Sequence, residues 1–519
     1  MNNSRTANSL KNMAFGLGGQ AASLLLGFVT RWVFIVTLGK EYLGVSGLFS
    51  NVLGLLSLAN LGFGSAIIYS LYKPLAQNDR ASVKGYMNLY RKVYAVVGVV
   101  VLALGLALLP FLPHLINGEV TVSEDLRLIY VLFLLQSAAS YFFAYKQSLL
   151  TASQQNRVIS IYHTLFMVLR NVLESVLLLV FRAYIPALVS MIVCQIAENI
   201  WLARVTDKKF PYLRDMSVEA QLTGEQKHAL TSSVKAMFLY KISGTVINST
   251  DNILISGFQG IVSVGLYSNY VYIVDVVRTF LSYIFNSMTA SVGNYSVSES
   301  KERNALLYYQ LFFASFWIYG FTGVCLGVLL NPFITLWIGS EYVLPGWTVL
   351  VIIVNYYTAG VQYASTTYRE VTGMFQVGKY RPLVAAALNL GFSVVLAKPL
   401  GITGVLLGTI LSRLAVYFWF DPYIIHKRVF CCSLGRYFGK YALYAVVSLV
   451  AGGVTLLLCR VLPVAHPVAH FVLSMVLCTV VPNVLFWVCF RNTKEYNGLK
   501  EYARMILAGI RAKLRPRHV

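Results

Sequence analysis

The sequence predicts an all-α, polytopic membrane protein of about fourteen transmembrane helices, arranged as two pseudo-symmetric six-helix bundles plus two C-terminal helices. Three observations carry this reading. The 519 residues are 57% hydrophobic and only 12% charged, with a mean hydropathy of +0.66, too little polar surface to cover a soluble core of that size. The apolar residues lie in runs of about twenty, the length that crosses a ~30 Å hydrocarbon layer. The basic residues collect in alternate loops, as cytoplasmic segments require.

In chain order the spans are expected at 13–38, 45–71, 93–113, 127–150, 158–181, 184–204, 235–257, 264–290, 306–330, 345–368, 382–398, 400–421, 438–460 and 468–490. Of the 42 Lys and Arg, five (Lys40, Arg127, Arg182, Lys398, Arg460) fall in outer loops and four (Arg31, Arg170, Arg278, Arg413) inside spans. All the others lie on the side that also holds both termini, predicted to be cytoplasmic. Losing one helix would scramble this alternation downstream. The net charge of +22 is therefore a topology signal, and no nucleic-acid partner is called for. The N-terminus runs straight into a span with no cleavage site.

The two halves repeat. Gly47-Leu48-Phe49-Ser50-Asn51 and Gly265-Leu266-Tyr267-Ser268-Asn269 open spans 2 and 8, 218 residues apart. Pro110-Phe111-Leu112 and Pro332-Phe333-Ile334 end spans 3 and 9, 222 apart. Six spans separate the copies, so both enter the membrane in the same orientation, a parallel repeat. The organisation is then 1–204 (first six-helix bundle), 205–234 (cytoplasmic linker), 235–421 (second bundle), 422–490 (two added spans) and 491–519 (basic tail). From Tyr496 to Arg517 the tail has the spacing of an amphipathic helix on the anionic inner leaflet.

Charges inside the bilayer cost about 2.5–3.5 kcal/mol at a helix centre, so each needs a reason. Arg170 with Glu174 and Asp275 with Arg278 stand at i,i+4 and i,i+3, where each pair partly neutralises itself. For Arg170–Glu174 a helix-locking role is favoured; Glu198, a turn or so from Arg204, is expected to snorkel to the inner surface. Arg31, Asp251, Asp275 and Arg278 sit on helices made equivalent by the repeat, where they face a central path. Arg31, Arg278 and Arg413 form a cationic cavity suited to diphosphate, because the guanidinium fork donates bidentately to phosphate oxygens. Asp251 and Asp275 bind a coupling ion or orient an arginine. Asn51, Asn60, Asn248 and Asn269 are the candidate sugar contacts, with Asn252, Asn286 and Gln20 behind them. Tyr267, Tyr270 and Tyr272 are candidate stacking rings, though packing or interface belt is the commoner use of such residues.

No catalytic, metal or cofactor site is expected. Gly16-Leu17-Gly18-Gly19-Gln20-Ala21 fits GxGxxA but follows no strand, and there is no P-loop or HExxH. The seven cysteines lack ligand spacing. His466 and His470 stand at i,i+4 near the outer face, a pair too small to hold a metal by itself.

Several segments resemble one family. Leu38-Gly39-Lys40-Glu41-Tyr42-Leu43-Gly44, Asn60-Leu61-Gly62-Phe63-Gly64-Ser65-Ala66, Tyr69-Ser70-Leu71-Tyr72-Lys73-Pro74, Thr250-Asp251-Asn252-Ile253-Leu254-Ile255-Ser256, Gly265-Leu266-Tyr267-Ser268-Asn269-Tyr270 and Asn331-Pro332-Phe333-Ile334-Thr335-Leu336-Trp337-Ile338-Gly339 resemble the polysaccharide transporter (oligosaccharide flippase) family of the multidrug/oligosaccharidyl-lipid/polysaccharide exporter superfamily. The resemblance implies a V-shaped pair of bundles with helices 1, 2, 7 and 8 lining the cleft. It also implies a bacterial inner-membrane flippase, not an enzyme, carrying an undecaprenyl-diphosphate-linked oligosaccharide by alternating access. Such a protein serves cell-surface polysaccharide biosynthesis (lipopolysaccharide O-antigen or capsule). Its partners would be the polyprenyl-diphosphate-linked glycan, membrane lipids and polysaccharide-assembly proteins. Two rivals are a cation-coupled multidrug exporter of the same superfamily and a membrane-embedded glycan polymerase or ligase. The second lacks the large outer loop that such enzymes need.

Overall fold

The computed structural model describes residues 2–57, 63–116, 122–215, 217, 219–220, 222–374, 377–378, 380–501 and 504. In order the helices are α1 (Asn2–Leu56), α2 (Phe63–Ala76), α3 (Arg80–Leu108), α4 (Leu112–Leu115), α5 (Leu126–Ala144), α6 (Gln147–Ala152), α7 (Asn156–Phe181) and α8 (Tyr184–Lys209). They continue as α9 (Gly224–Gln259), α10 (Ile261–Ser298), α11 (Lys301–Trp337), α12 (Gly346–Val361), α13 (Tyr363–Val371), α14 (Arg381–Ile424), α15 (Gly435–Val461) and α16 (Pro467–Phe490). No strand occurs among the described residues. Among the described residues, every expected span falls on this helical scaffold. Among the described residues, eight helical stretches are long and apolar enough to cross a membrane unaided. The chain is a multi-pass membrane protein.

Single positive-φ residues turn the chain between successive spans, two of them inside an unbroken helical run and two between helices. Gly39 (φ 83°) bends α1 between spans 1 and 2, and Gly260 (φ 83°) separates α9 from α10 between spans 7 and 8. Arg182 (φ 47°) separates α7 from α8, and Gly401 (φ 59°) bends α14 between spans 11 and 12. Glycine meets little steric cost at positive φ, whereas Arg182 carries strain there. The pairs 39/260 and 182/401 lie 221 and 219 residues apart, so the repeat read from short motifs recurs in the turns. Elsewhere side chains mark the helix starts. Asp79 caps α3 by accepting from Ser82 N, and Thr223 with Gln226 forms a capping box on α9.

Two compact units result, residues 1–268 and 269–519. In unit 1, α7 packs on α1 and α8, α5 on α8 and α3, and α9 on α1 and α2. In unit 2, α11 is central and carries α12, α15 and α16. The two added spans dock on it through buried rings: Phe316 stacks on Tyr444 at 4.3 Å, and Phe486 and Phe490 close on Phe316 at 4.9 and 5.3 Å. Their other faces, including Leu443, Val446, Leu449, Val450 and Leu457, are exposed, as lipid-facing residues should be.

Candidate functional site

In unit 1 the site begins with two glycines. A Cβ on Gly44 would collide with the carbonyl of Ile261, and one on Gly265 with the carbonyl of Lys40. Span 2 and the first turns of α10 therefore approach main chain to main chain, as small residues permit between membrane helices. This approach brings Ser268 to Arg31, whose Nη2 donates to Ser268 Oγ at 2.7 Å. Ser268 Oγ donates in turn to Gly265 O at 2.8 Å. Gly47 and Gly54 on span 2 lie against Asn252 and Ser249 of α9. Asn252 Oδ1 is buried without a hydrogen-bond partner, and Asp251 beside it is half-buried. Asn51 donates to Gly47 O at 2.8 Å within its own helix. Asn60 and the side chain of Asn248 lie outside the described residues.

In unit 2 the expected Asp275–Arg278 pair closes at 2.9 Å, with both side chains about half exposed (52% and 49%). Arg170 and Glu174 in unit 1 do not close to ion-pair distance, and Arg170 Nε is buried without a hydrogen-bond partner. The sequence order explains the contrast: acid before base suits a helix, and base before acid at i,i+4 is the weaker orientation. Glu198 pairs with His163 of α7 at 2.9 Å. Arg413 donates to Asn355 O at 2.8 Å and lies 3.5 Å from Thr358 Oγ1, tying α14 to α12. Asn269 is fully buried. Tyr270 is a staple: its hydroxyl donates to Asn331 Oδ1 at 2.5 Å and accepts from Leu344 N at 2.8 Å. His470 sits 3.0 Å from Cys459 O, and His466 caps α16.

Sequence reasoning missed two buried carboxylates at the ends of the units that carry the basic loops. Asp207, in the last turn of α8, is held by Lys146 at 2.6 Å and Arg214 at 2.5 Å. Asp421, near the end of α14, is held by Arg381 and, at 3.6 Å, by Arg369. Span 6 and span 12 correspond in the repeat, as do the ends of spans 4 and 10 that supply Lys146 and Arg369. The usable signal was an acid in the last turn of a helix among basic loop residues. A third buried carboxylate, Glu495 in the segment after α16, is held by Lys440 at 2.9 Å and Arg436 at 3.5 Å.

This fold is shared with known transporters. An inward-facing multidrug resistance MATE family transporter of the MOP superfamily matches with a TM-score of 0.60 at 15% identity, covering 78% of this chain and 95% of that one. Lipid II flippase MurJ, in an inward closed conformation, matches with a TM-score of 0.63 at 13% identity, covering 92% and 99%. The Vibrio cholerae MATE transporter VcmN matches with a TM-score of 0.54 at 12% identity, covering 82% and 99%. No protein-family model and no curated protein sequence matches. The chain thus has the polytopic helical fold of these transporters and of lipid II flippase MurJ.

Proposed function

We propose that the protein is a flippase moving a polyprenyl-diphosphate-linked oligosaccharide from the cytoplasmic to the outer leaflet of a bacterial inner membrane, by alternating access and without catalysis. The observation that carries this reading is the breadth of the MurJ likeness, 92% of this chain against 78% for the MATE transporter. A fourteen-helix chain fits a lipid-linked glycan flippase better than a twelve-helix drug exporter. Arginines inside the spans add support: they suit an anionic diphosphate and would repel cationic drugs. In this reading 1–204 and 235–421 are the moving halves, 205–234 links them, 422–490 are added spans and 491–519 is a tail on the inner leaflet. Both termini are cytoplasmic. Arg31, Arg278 and Arg413 hold the diphosphate, with Asp251 and Asp275 binding a coupling ion or orienting an arginine. Asn51, Asn60, Asn248 and Asn269 meet sugar hydroxyls.

The MATE likeness supports a second reading, cation-coupled drug export. Purified protein in liposomes separates the two. Translocation of a lipid-linked oligosaccharide with no efflux of a cationic dye is expected. Dye efflux without glycan translocation would overturn the proposal.

A further inference from the structure

Within unit 1 the contacts below the turns at Gly39 and Gly260 are reciprocal. Counted from these turns, 221 residues apart, Arg31 corresponds to Asn252, Lys40 to Ile261, Gly44 to Gly265 and Gly47 to Ser268. A Cβ on Gly44 would strike the carbonyl of Ile261, and one on Gly265 the carbonyl of Lys40. That is one contact made twice with the partners exchanged. The polar contacts deeper in the spans obey the same exchange. Arg31 meets Ser268, and Asn252 meets Gly47, where a Cβ would stand 3.8 Å from its Nδ2. Exchange of partners marks a two-fold axis passing through a contact, so the repeat axis runs between the two turns. The motif spacing of 218 is three residues shorter, nearly one helical turn; the contacts keep step with the turns.

The exchange is chemically incomplete. On one side of the axis the guanidinium of Arg31 donates to Ser268 Oγ at 2.7 Å. On the other, glycine stands where the serine would be, and Asn252 Oδ1 is buried without a hydrogen-bond partner. Gly44, Ile261 and Gly265 are themselves buried. Main chain closes the axis here, and one polar latch of the symmetric two is fastened.

We infer that this crossing closes the transport path on the side away from the basic loops, and that Arg31 releases it. Arg31 holds Ser268 while the crossing is shut and exchanges it for phosphate oxygens when the carried headgroup arrives. A guanidinium meets a phosphate bidentately, where the serine offers one oxygen, so the exchange favours parting. The unfastened side keeps opening cheap, because one charged hydrogen bond is exchanged and no second one is broken. The inference rests on the flippase reading, in which 1–204 and 235–421 are the moving halves.

The test uses the full chain in proteoliposomes. A Cβ on Gly47 would stand 3.2 Å from Val264 Cγ1, close enough for a disulfide between Gly47→Cys and Val264→Cys. The reduced double variant should translocate a polyprenyl-diphosphate oligosaccharide, stop when cross-linked and recover on reduction. Failure to cross-link, or unchanged translocation once cross-linked, would overturn the closure. Absence of translocation by the wild type would overturn the flippase reading instead. A second readout needs no translocation: labelling of Val264→Cys by a membrane-impermeant maleimide from the side away from the basic loops, read on its own peptide. Undecaprenyl diphosphate should speed this labelling, and Ser268→Ala should speed it without ligand. Gly47→Ser should slow it about two- to tenfold, since its hydroxyl can meet either end of the Asn252 amide. Labelling indifferent to undecaprenyl diphosphate and to both substitutions would overturn the release by Arg31. Should the reduced double variant be inactive, labelling decides alone.

Discussion

The basic-loop ends of the two units solve one problem in two ways. Each buries an aspartate at the end of its sixth helix and neutralises it with a base from the end of its fourth. The second base differs. In unit 1 it is Arg214, after α8, with its side chain 70% exposed. In unit 2 it is Arg381, the first residue of α14, 8% exposed and set over the rings of Tyr417 and Phe420. A repeat can thus keep its electrostatic clamp and still bury the second guanidinium in one half while leaving it in solvent in the other, by changing which element delivers it.

The largest effect should follow Asp421→Asn. It strands two buried arginines (Arg369 7% and Arg381 8% exposed), and breaking a buried pair costs about 3–5 kcal/mol. Thermal unfolding in detergent should show it directly. Asp207→Asn should cost less, about 1.5–3 kcal/mol for lost charged hydrogen bonds, because Arg214 is already in solvent. Equal or reversed losses would dissolve the contrast between the two ends. Glu495→Gln comes next. Burial alone would raise its carboxyl, but the Lys440 hydrogen bond and the nearby Arg436 hold it below the ordinary value. A lowered folded-state value adds stability above the unfolded pKa that is lost as pH falls through the folded one. The wild-type advantage over Glu495→Gln should therefore be complete at pH 7, begin to fade near the unfolded glutamate value of about pH 4.3, and disappear once pH falls through the lowered folded-state value. Arg214→Ala should have the smallest effect, within about 0.2–1 kcal/mol, since its charge is screened by water.

Much of the fold was legible because hydropathy and charge asymmetry are properties of whole segments. Fourteen runs of about twenty apolar residues need a bilayer whatever their packing. The turns at Gly39 and Gly401 were harder to place, since a single positive-φ residue bends the chain inside an otherwise unbroken helical run. Arg170–Glu174 and Asp275–Arg278 looked alike as self-neutralising pairs, yet they differ in spacing and in the order of acid and base. Asp207 resembled a solvated helix end, because its partner Lys146 lies 61 residues away. Arg413 was recognised as an unusual intramembrane charge, but its bonds to Asn355 O and Thr358 depend on how α12 packs against α14.

The most direct test of the flippase account is translocation of a polyprenyl-diphosphate oligosaccharide in proteoliposomes, comparing wild type with Arg31→Ala and Arg278→Ala at matched, folded protein levels. Removing a charge-assisted contact worth about 1.5–3 kcal/mol should slow translocation at least about tenfold in each variant. Wild-type rates in both would contradict the account.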